Sequence, residues 1–174
     1  MKKLVVPMVL SIALICGCAP SSSTPELYAI KGSFNLTPQE YIDKVNEIVQ
    51  IQEDSRYLEI PEFKESGDVI DIIFLDLTLK LETDSNGYIT EIKYTWDGYR
   101  EGVGYSLGLY LALTSDMIAP GNVDLIVNEM DMMDTSYNNY ETSYTYNGIH
   151  FSYRMMGDGS SNYLTIEPVS SYAE

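Results

Sequence analysis

The segment from Leu75 to Gly98 constrains the fold most, because its apolar and polar residues alternate around the dipeptide Asn86-Gly87. A two-residue Asn-Gly loop favours a type I′ turn, whose twist matches that of two paired strands. With Ser85 opposite Tyr88, each face of this hairpin becomes uniform. The apolar pairs are Leu81/Ile92, Leu79/Tyr94 and Leu77/Trp96, and the polar pairs are Glu82/Glu91, Lys80/Lys93 and Thr78/Thr95. A shift by one residue would exchange the two faces, so the pattern predicts this register.

A second Asn-Gly dipeptide, Asn147-Gly148, predicts another hairpin between strands 140–146 and 149–156. Its predicted apolar pairs are Tyr146/Ile149, Tyr144/Phe151 and Tyr140/Met155, and its polar pairs are Thr145/His150, Ser143/Ser152 and Glu141/Arg154. Further strands are expected at 57–60, at 162–168 and from Val69 to Glu82, the last as the first arm of the first hairpin. The parity of the apolar residues in this arm changes after Phe74, which indicates either a bulge or a strand that is covered on both faces there. Together these patterns predict an antiparallel sheet.

Three helices are expected. Thr37-Pro38-Gln39-Glu40 has the N-cap, first-turn proline and glutamate of a capping box, and an apolar stripe from Tyr41 to Val49 follows. The apolar run from about Val103 to Ile118 predicts a buried helix, and Asn122 begins a third with a stripe that includes Ile126 and Met130. The sequence therefore predicts an α+β fold, with helices on one face of a twisted antiparallel sheet. The order of elements also fits two α-then-β halves that share one core.

The N-terminus has the parts of a secretory signal: Lys2 and Lys3, then an apolar run that ends at Ile15. This run is shorter than the roughly 20 residues that a membrane-spanning helix needs. The stretch Ile15-Cys16-Gly17-Cys18 resembles a bacterial lipobox, which implies that Cys18 is lipidated and becomes the mature N-terminus. An ordinary secretory signal is the alternative. We expect a signal peptide at 1–17, a tether at 18–33 and one domain at 34–174.

Removal of the first 17 of 174 residues leaves one cysteine, so no disulfide can form within the mature chain. It also removes two of ten basic residues, which leaves 8 against 26 acidic residues and a net charge of −18. Such a charge argues against nucleic acid and against electrostatic adhesion to anionic lipid. Expected partners are the membrane through the lipid, and a protein or envelope ligand. The acidity also has a simpler role, which is to keep the domain soluble.

The capped helix that follows a tether, with strands after it, resembles small uncharacterised lipoproteins of Gram-positive bacteria. The layout of the domain is also similar to that of the β-lactamase-inhibitor-protein and PepSY-like class. That resemblance covers layout only and implies a binding protein rather than an enzyme. It assigns no functional residue, whereas the lipobox resemblance assigns Cys18 and implies an extracytoplasmic, lipid-anchored location at the cell membrane.

The loop that includes Glu82, Asp84 and Asn86 resembles the first eight positions of an EF-hand calcium loop. Position twelve is Lys93, where a bidentate glutamate is required, and the flanking segments have strand patterns. We therefore expect no metal there, with a calcium-responsive module as an alternative. His150 is the one histidine and no nucleophile motif accompanies it, so neither a catalytic triad nor a zinc site is expected. No cofactor is expected.

The expected function is a non-catalytic binding or accessory module. Its candidate surface is the polar face of the first hairpin, with two tyrosines that the sequence leaves available as surface anchors: Thr78, Lys80, Glu82, Glu91, Lys93, Tyr137 and Tyr163. Tyrosine combines rigid contact area with a hydroxyl group, which suits recognition. A small hydrolase of the glycosidase type is the alternative from another class, because it needs only two carboxylates at a suitable separation.

Overall fold

A computed structural model describes residues 29–30, 32–51, 59–64, 67–74, 77–97, 110–111, 114, 123–131, 139–156 and 162–169. Its elements are β1 (Ala29–Ile30), β2 (Ser33–Phe34), α1 (Pro38–Ile51), β3 (Val69–Phe74), β4 (Leu77–Thr83), β5 (Ile89–Trp96), α2 (Val123–Glu129), β6 (Asn139–Tyr146), β7 (Ile149–Met156) and β8 (Asn162–Pro168). Within these residues no helix has the length and apolar character needed to cross a membrane.

Six strands form one antiparallel sheet in the order β3-β4-β5-β8-β7-β6, so the described part of the chain is mainly sheet with two helices. Each half of the sheet is a three-stranded meander, β3-β4-β5 in one half and β6-β7-β8 in the other. The third strand of each meander, β5 or β8, lies in the centre of the sheet. The two central strands, β5 and β8, pair antiparallel, with Tyr94 opposite Leu164. Strands β1 and β2 form a separate two-stranded sheet, which includes the last residues of the predicted tether.

The core lies against one side of the sheet, which we call the inner face. It is formed by alternate side chains of all six strands, among them Leu79, Tyr94, Leu164 and Phe151, each with no more than 1% of its surface exposed. At about 25 cal/mol per Å² of apolar surface, burial of this face is the main stabilising term. The opposite side of the sheet is polar on β4, β5, β6 and β7, as the predicted alternation requires, whereas on β3 it includes Val69 and Ile73.

A buried cluster of hydroxyl groups joins α1 to the inner face. The Tyr41 hydroxyl is hydrogen-bonded to the Tyr94 hydroxyl and, at 2.7 Å, to the Thr114 hydroxyl. The Tyr110 ring stacks on Tyr94 with 5.7 Å between ring centroids. Burial raises the pKa of Tyr41 to about 12, against which its two hydrogen bonds act only in part. The cluster is therefore neutral at physiological pH and acts as a satisfied polar network inside the core.

The predicted capping box at the start of α1 is confirmed. The Thr37 amide donates to Glu40 Oε2 at 2.9 Å, and the Glu40 amide donates to Thr37 Oγ1 at 3.3 Å. The Thr37 hydroxyl also donates to Glu40 Oε2 at 2.9 Å. The hydrogen bonds from the Thr37 amide and the Thr37 hydroxyl lower the pKa of the Glu40 carboxyl. The flanking Leu36 and Tyr41 are both buried, as expected of a residue pair that fixes the entry of the chain into the helix.

The other predicted helices are confirmed where the structure describes them. Ile126 of α2 and Met130, which follows the helix, are fully buried, and Asp131 then adopts a left-handed conformation at φ 48°. The Tyr140 hydroxyl donates to the Met130 carbonyl at 2.7 Å, which ties this end of the helix to β6. Of the helix predicted from Val103 to Ile118, residues 110, 111 and 114 are helical and buried, and the rest lies outside the described residues.

The second hairpin, β6-β7, agrees with its prediction in both turn and register. Asn147 and Gly148 have φ of 49° and 77°, the two positive values that a type I′ turn requires. All six predicted pairs are present, from Tyr146 opposite Ile149 to Tyr140 opposite Met155. The tyrosines of β6, expected in the core, are half-buried and pack against its border, because β6 is an edge strand.

In the first hairpin, β4-β5, all six predicted pairs are present but the predicted type I′ turn is wrong. The Asp84 amide donates to the Tyr88 carbonyl at 2.8 Å, and the Gly87 amide donates to the Asp84 carbonyl at 2.9 Å, so the loop has three residues. Thr83 pairs with Ile89, and Thr90 is an extra residue in a β-bulge before Glu82 meets Glu91. The three-residue loop shifts the register of β5 by one residue, and the bulge shifts it back. The pairs from Glu82/Glu91 onward are therefore the predicted ones.

Two predicted strands need correction. The arm from Val69 to Glu82 is two strands, because Phe74 pairs with Leu77 and the chain reverses between them. This explains why the apolar parity changes after Phe74. The predicted strand at 57–60 is wrong at Glu59 and Ile60, which are in no strand, whereas 57–58 lie outside the described residues. The Ile60 amide and carbonyl are instead paired with the Asn46 side chain at 2.7 and 2.8 Å.

Candidate functional site

The outer face of the sheet is the side opposite the core, and the strand registers define its members. Along β3 and β4 they are Val69, Asp71, Ile73, Thr78, Lys80 and Glu82; along β5 and β8 they are Glu91, Lys93, Thr95, Tyr163, Thr165 and Glu167; along β7 and β6 they are His150, Ser152, Arg154, Glu141, Ser143 and Thr145. Apart from Val69 and Ile73 on β3 and the aromatic ring of Tyr163 on β8, this face is polar. Its polar groups form rows that run across the strands.

Six of the seven predicted binding residues lie on this outer face. Thr78, Lys80 and Glu82 are on β4 and face Thr95, Lys93 and Glu91 on β5, while Tyr163 is on the adjacent β8. The seventh, Tyr137, lies outside the described residues, as does the predicted lipidation site Cys18. Sequence reasoning missed that Thr165, Arg154 and Glu167 belong to the same surface. No signal in the chain shows that β8 pairs with β5, because the two strands are distant in sequence.

The first row is acidic and crosses β4, β5 and β8 at Glu82, Glu91 and Glu167. The last two lie one residue beyond the Ile92/Ile166 pair, and the Glu167 charge acts on the Glu91 carboxyl. Burial raises the pKa of the Glu91 carboxyl, and the neighbouring charge of Glu82 raises it further. The row continues to His150 on β7, whose Nδ1 is 2.8 Å from the Thr145 hydroxyl, as the predicted pairing of these two residues implies. Three neighbouring carboxylates repel one another, which destabilises the folded state. A partner that neutralises one of them would reduce this repulsion.

The second row begins at Asp71 on β3 and is basic at its centre, where Lys80 on β4 lies opposite Lys93 on β5. The Lys80 ammonium is paired with the Glu82 carboxylate, and this hydrogen bond raises the pKa of Lys80. Both side chains are about one-third exposed, so we assign the pair little net stability. Beyond Lys93 the row continues with hydroxyl groups at Thr165, Ser152 and Ser143.

The third row brings an aromatic ring and charged groups together. The Lys93 ammonium lies 5.3 Å from the centroid of the Tyr163 ring. The Tyr163 hydroxyl donates to Glu141 Oε1 at 3.1 Å, and burial and this contact raise the pKa of Tyr163. Arg154 lies between Tyr163 and Glu141 in the register, and its Nε is buried without a hydrogen-bond partner in the described part of the chain. This corner carries both signs of charge around one ring.

The loop that resembles half of a calcium site is explained by its hydrogen bonds. Asp84 Oδ1 accepts the amides of Asn86 at 2.8 Å and Tyr88 at 3.0 Å. These bonds, with the Tyr88 amide the largest cause, lower the pKa of the Asp84 carboxyl. Among the described residues, no group of three or more His, Cys, Asp or Glu side chains is arranged to hold a metal ion. Asp84 is thus accounted for as a turn residue.

A cleft of about 680 Å³ lies between α1 and the segment 59–63, away from the outer face. Four carboxylates line it, from Asp43, Glu47, Glu59 and Glu62, together with the amide side chains of Gln39, Asn46 and Gln50. All four acidic residues are exposed. A general acid needs a carboxyl group that burial keeps protonated near neutral pH, and the exposed carboxylates of this cleft lack that environment.

Comparison with known proteins identifies no relative. No protein-family model matches the chain, and neither the curated proteins nor the solved structures contain a match to it.

Proposed function

We propose that this chain is an extracytoplasmic lipoprotein, anchored in the cell membrane through a lipid on Cys18, that acts as a non-catalytic binding or accessory module. Its ligand is a protein or another component of the envelope, recognised by the outer face. The lipobox-like stretch Ile15-Cys16-Gly17-Cys18 supports the anchor. The acidic composition supports a partner other than nucleic acid.

One observation carries the assignment of the surface: predicted binding residues from separate strands are contiguous on the face that the core does not use. Lys80, Lys93, Glu91 and Tyr163 are neighbours in the register of β4, β5 and β8. Rows of like charge in register cost stability, about 0.2–1 kcal/mol for each opposed pair. A surface that only had to be solvated would be served as well by alternating charges, so the rows favour a partner with complementary charge.

We also propose that the architecture is two α-then-β halves, with the helices forming a layer over the inner face. Contacts from α1 to Tyr94 and from the end of α2 to Tyr140 support the common layer. The mirrored order of the two meanders, with β5 and β8 adjacent at the centre, supports the two halves.

The alternative, a small hydrolase, would have to use the cleft beside α1. Turnover of a glycoside would then depend on carboxylates of the cleft and not on the outer face. These carboxylates belong to Asp43, Glu47, Glu59 and Glu62. The second alternative, a calcium-responsive module, would depend on Asp84. Neither set of residues overlaps with the lysines of the outer face, so substitutions separate the three functions.

The test of the binding surface is comparative capture from envelope extracts with the full chain held in detergent. We expect specific partners on the native chain, their loss from the double variant Lys80→Glu/Lys93→Glu, and their retention on Lys44→Glu/Lys64→Glu. The control changes the net charge equally at two exposed lysines away from the outer face. Equal capture by both double variants would refute the outer face as the binding surface.

The anchor has its own test, which does not depend on the ligand. Metabolic labelling with a palmitate analogue should mark the native chain and not the Cys18→Ala variant. Labelling that persists in Cys18→Ala, or release of the native chain from membranes by high salt alone, would refute a lipid anchor at this residue.

A further inference from the structure

The two edges of the sheet differ in the side chains that they present to solvent. On β6 the outer-face residues are all polar, and Glu141 is engaged by the Tyr163 hydroxyl. On β3 they are Val69, Asp71 and Ile73, and the two apolar side chains are 39% and 77% exposed. Proteins normally protect an edge strand with lysine, proline, a bulge or a polar surface. Strand β3 has only Asp71 in this role.

Backbone hydrogen bonding defines which groups of β3 are free to pair. The Thr83 amide donates to the Asp68 carbonyl at 2.9 Å, so these two residues form a hydrogen-bonded pair of the β3-β4 ladder. Such pairs alternate along an antiparallel ladder, so Ile70 and Ile72 direct their amides and carbonyls toward β4. Those of Val69, Asp71 and Ile73 are therefore directed away from β4, and no other described strand pairs with them.

We propose that β3 is a strand-addition site, which binds an extended segment of a partner protein with alternate apolar, basic and apolar side chains. In this register the apolar residues lie opposite Ile73 and Val69, and the basic residue lies opposite Asp71. The backbone ladder supplies affinity, and the side chains on the outer face supply specificity. This site adjoins the rows of the outer face, since Asp71 lies opposite Lys80. It uses the unpaired backbone edge of β3 and does not rest on the proposed function of the rows.

Charge complementarity favours a basic partner strand over a second copy of this chain. Asp71 stands at the middle of β3, opposite Lys80, whose ammonium is paired with the Glu82 carboxylate, and the chain as a whole carries a net charge of −16. Antiparallel pairing of two β3 strands centred on that residue would place two aspartates opposite each other, which is destabilising. A lysine or arginine at the same place forms an opposite-charge pair.

The probe is a fluorescent peptide, Thr-Ile-Val-Lys-Val-Ile-Thr, titrated with the full chain in detergent and followed by anisotropy. We expect saturable binding. A peptide methylated on the amide nitrogens of its two isoleucines and its lysine cannot complete the ladder and should not bind. A peptide with glutamate for lysine should bind about tenfold more weakly. Hydrogen exchange should slow on binding at the amides of Val69, Asp71 and Ile73.

Matched variants test the location. Ile73→Lys places an edge lysine on β3 and should weaken binding about tenfold or more. Ser143→Lys makes the same change on the opposite edge and should leave binding unchanged. Asp71→Lys should reverse the preference, so that the glutamate peptide becomes the tighter ligand. Ile73 is largely exposed, so thermal melting of the variant should match that of the native chain.

Four results would overturn the proposal. They are failure of the peptide to bind at about millimolar concentration, equal binding of the methylated peptide, equal weakening by Ser143→Lys, and a dimer of the chain that Ile73→Lys dissociates. The last result would assign the edge to a second copy.

Discussion

The two hairpins share the dipeptide Asn-Gly and close in different ways. In β6-β7 both Asn147 and Gly148 have positive φ, and the loop has two residues. In β4-β5 only Gly87 does, and the loop has three. The difference lies two residues before the asparagine. There Asp84 accepts the Asn86 and Tyr88 amides, whereas the Thr145 hydroxyl is hydrogen-bonded across the strands to His150 Nδ1. A carboxylate that binds its own loop can therefore override the turn preference of Asn-Gly.

The three-residue loop has a further consequence, because it would reverse the faces of β5 if the strand were regular. The bulge at Thr90 restores the register, and it directs Ile89 into the core, where it is fully buried. The Ile89 amide donates to the Leu36 carbonyl at 2.9 Å, which ties the hairpin to the segment before α1. In the second hairpin the Gly148 carbonyl of the turn accepts the Val169 amide at 2.8 Å, which continues the β7-β8 ladder.

The largest expected effect tests the bulge. Ile89→Ala should lower the free energy of unfolding by about 3 kcal/mol, because it removes a buried side chain and leaves a cavity. A regular hairpin would place this residue on the outer face, where the same change costs about 0.5 kcal/mol or less. Denaturant unfolding distinguishes the two, with Thr90→Ala as the neighbouring control. A small effect at Ile89 would show that the bulge is not formed.

The hairpins also differ in how deeply their tyrosines are buried. Tyr94→Phe should cost about 1.5 kcal/mol, because it removes the hydroxyl that the buried Tyr41 hydroxyl contacts. Tyr144→Phe, on the half-buried edge strand, should cost about 0.5 kcal/mol or less. Chemical denaturation of both variants tests the contrast, and equal losses would contradict it.

Substitution of the asparagine in each turn compares the two turn types directly. Asn147→Ala should cost about 1 kcal/mol, because alanine is strained in the left-handed region at φ 49°. Asn86→Ala should change stability by about 0.5 kcal/mol or less, since its φ is negative and its bond to Asp84 uses the backbone amide. Thermal unfolding measures both. Equal destabilisation would mean that the two loops have the same turn type.

The smallest effect concerns charge on the outer face, where the first hairpin opposes Glu82 to Glu91 and the second opposes Glu141 to Arg154. The raised pKa of Glu91 means that the folded state binds more protons than the unfolded state just above the ordinary value of 4.5. Stability from this group is therefore lost as pH rises through that interval. Glu91→Gln should stabilise the protein by about 0.5 kcal/mol at pH 7.

The pH dependence provides the check on this last prediction. The advantage of Glu91→Gln over the native chain should vanish below pH 4.5, where the native carboxyl is itself protonated. The matched change Glu141→Gln removes a partner of Tyr163 and should give no stabilisation at pH 7. A stabilisation by Glu91→Gln that is independent of pH would rule out charge repulsion as its cause.

Local patterns predicted much of this fold. Strict alternation identified the faces and registers of both hairpins, and Thr37 with Glu40 identified the start of α1. The reversal between Phe74 and Leu77 was missed because no Gly, Asn or Pro marks it. The bulge at Thr90 was invisible because its shift cancels that of the loop. Of the candidate site, the members on β4 and β5 were predictable, whereas those on β7 and β8 depend on pairing between distant segments.

The position of β8 has a consequence for how the chain reaches this structure. It is the last of the described strands in chain order, and it pairs on one side with β7 and on the other with β5. Each meander can form from local contacts, but the central pairing must close a loop from Trp96 to Asn162, and nonlocal pairing of this kind is slow. Until it forms, β5 is itself an open edge. The central β5-β8 pairing is therefore the last to form in the sheet. The longer β5 remains an unpaired edge, the greater the risk of misassembly.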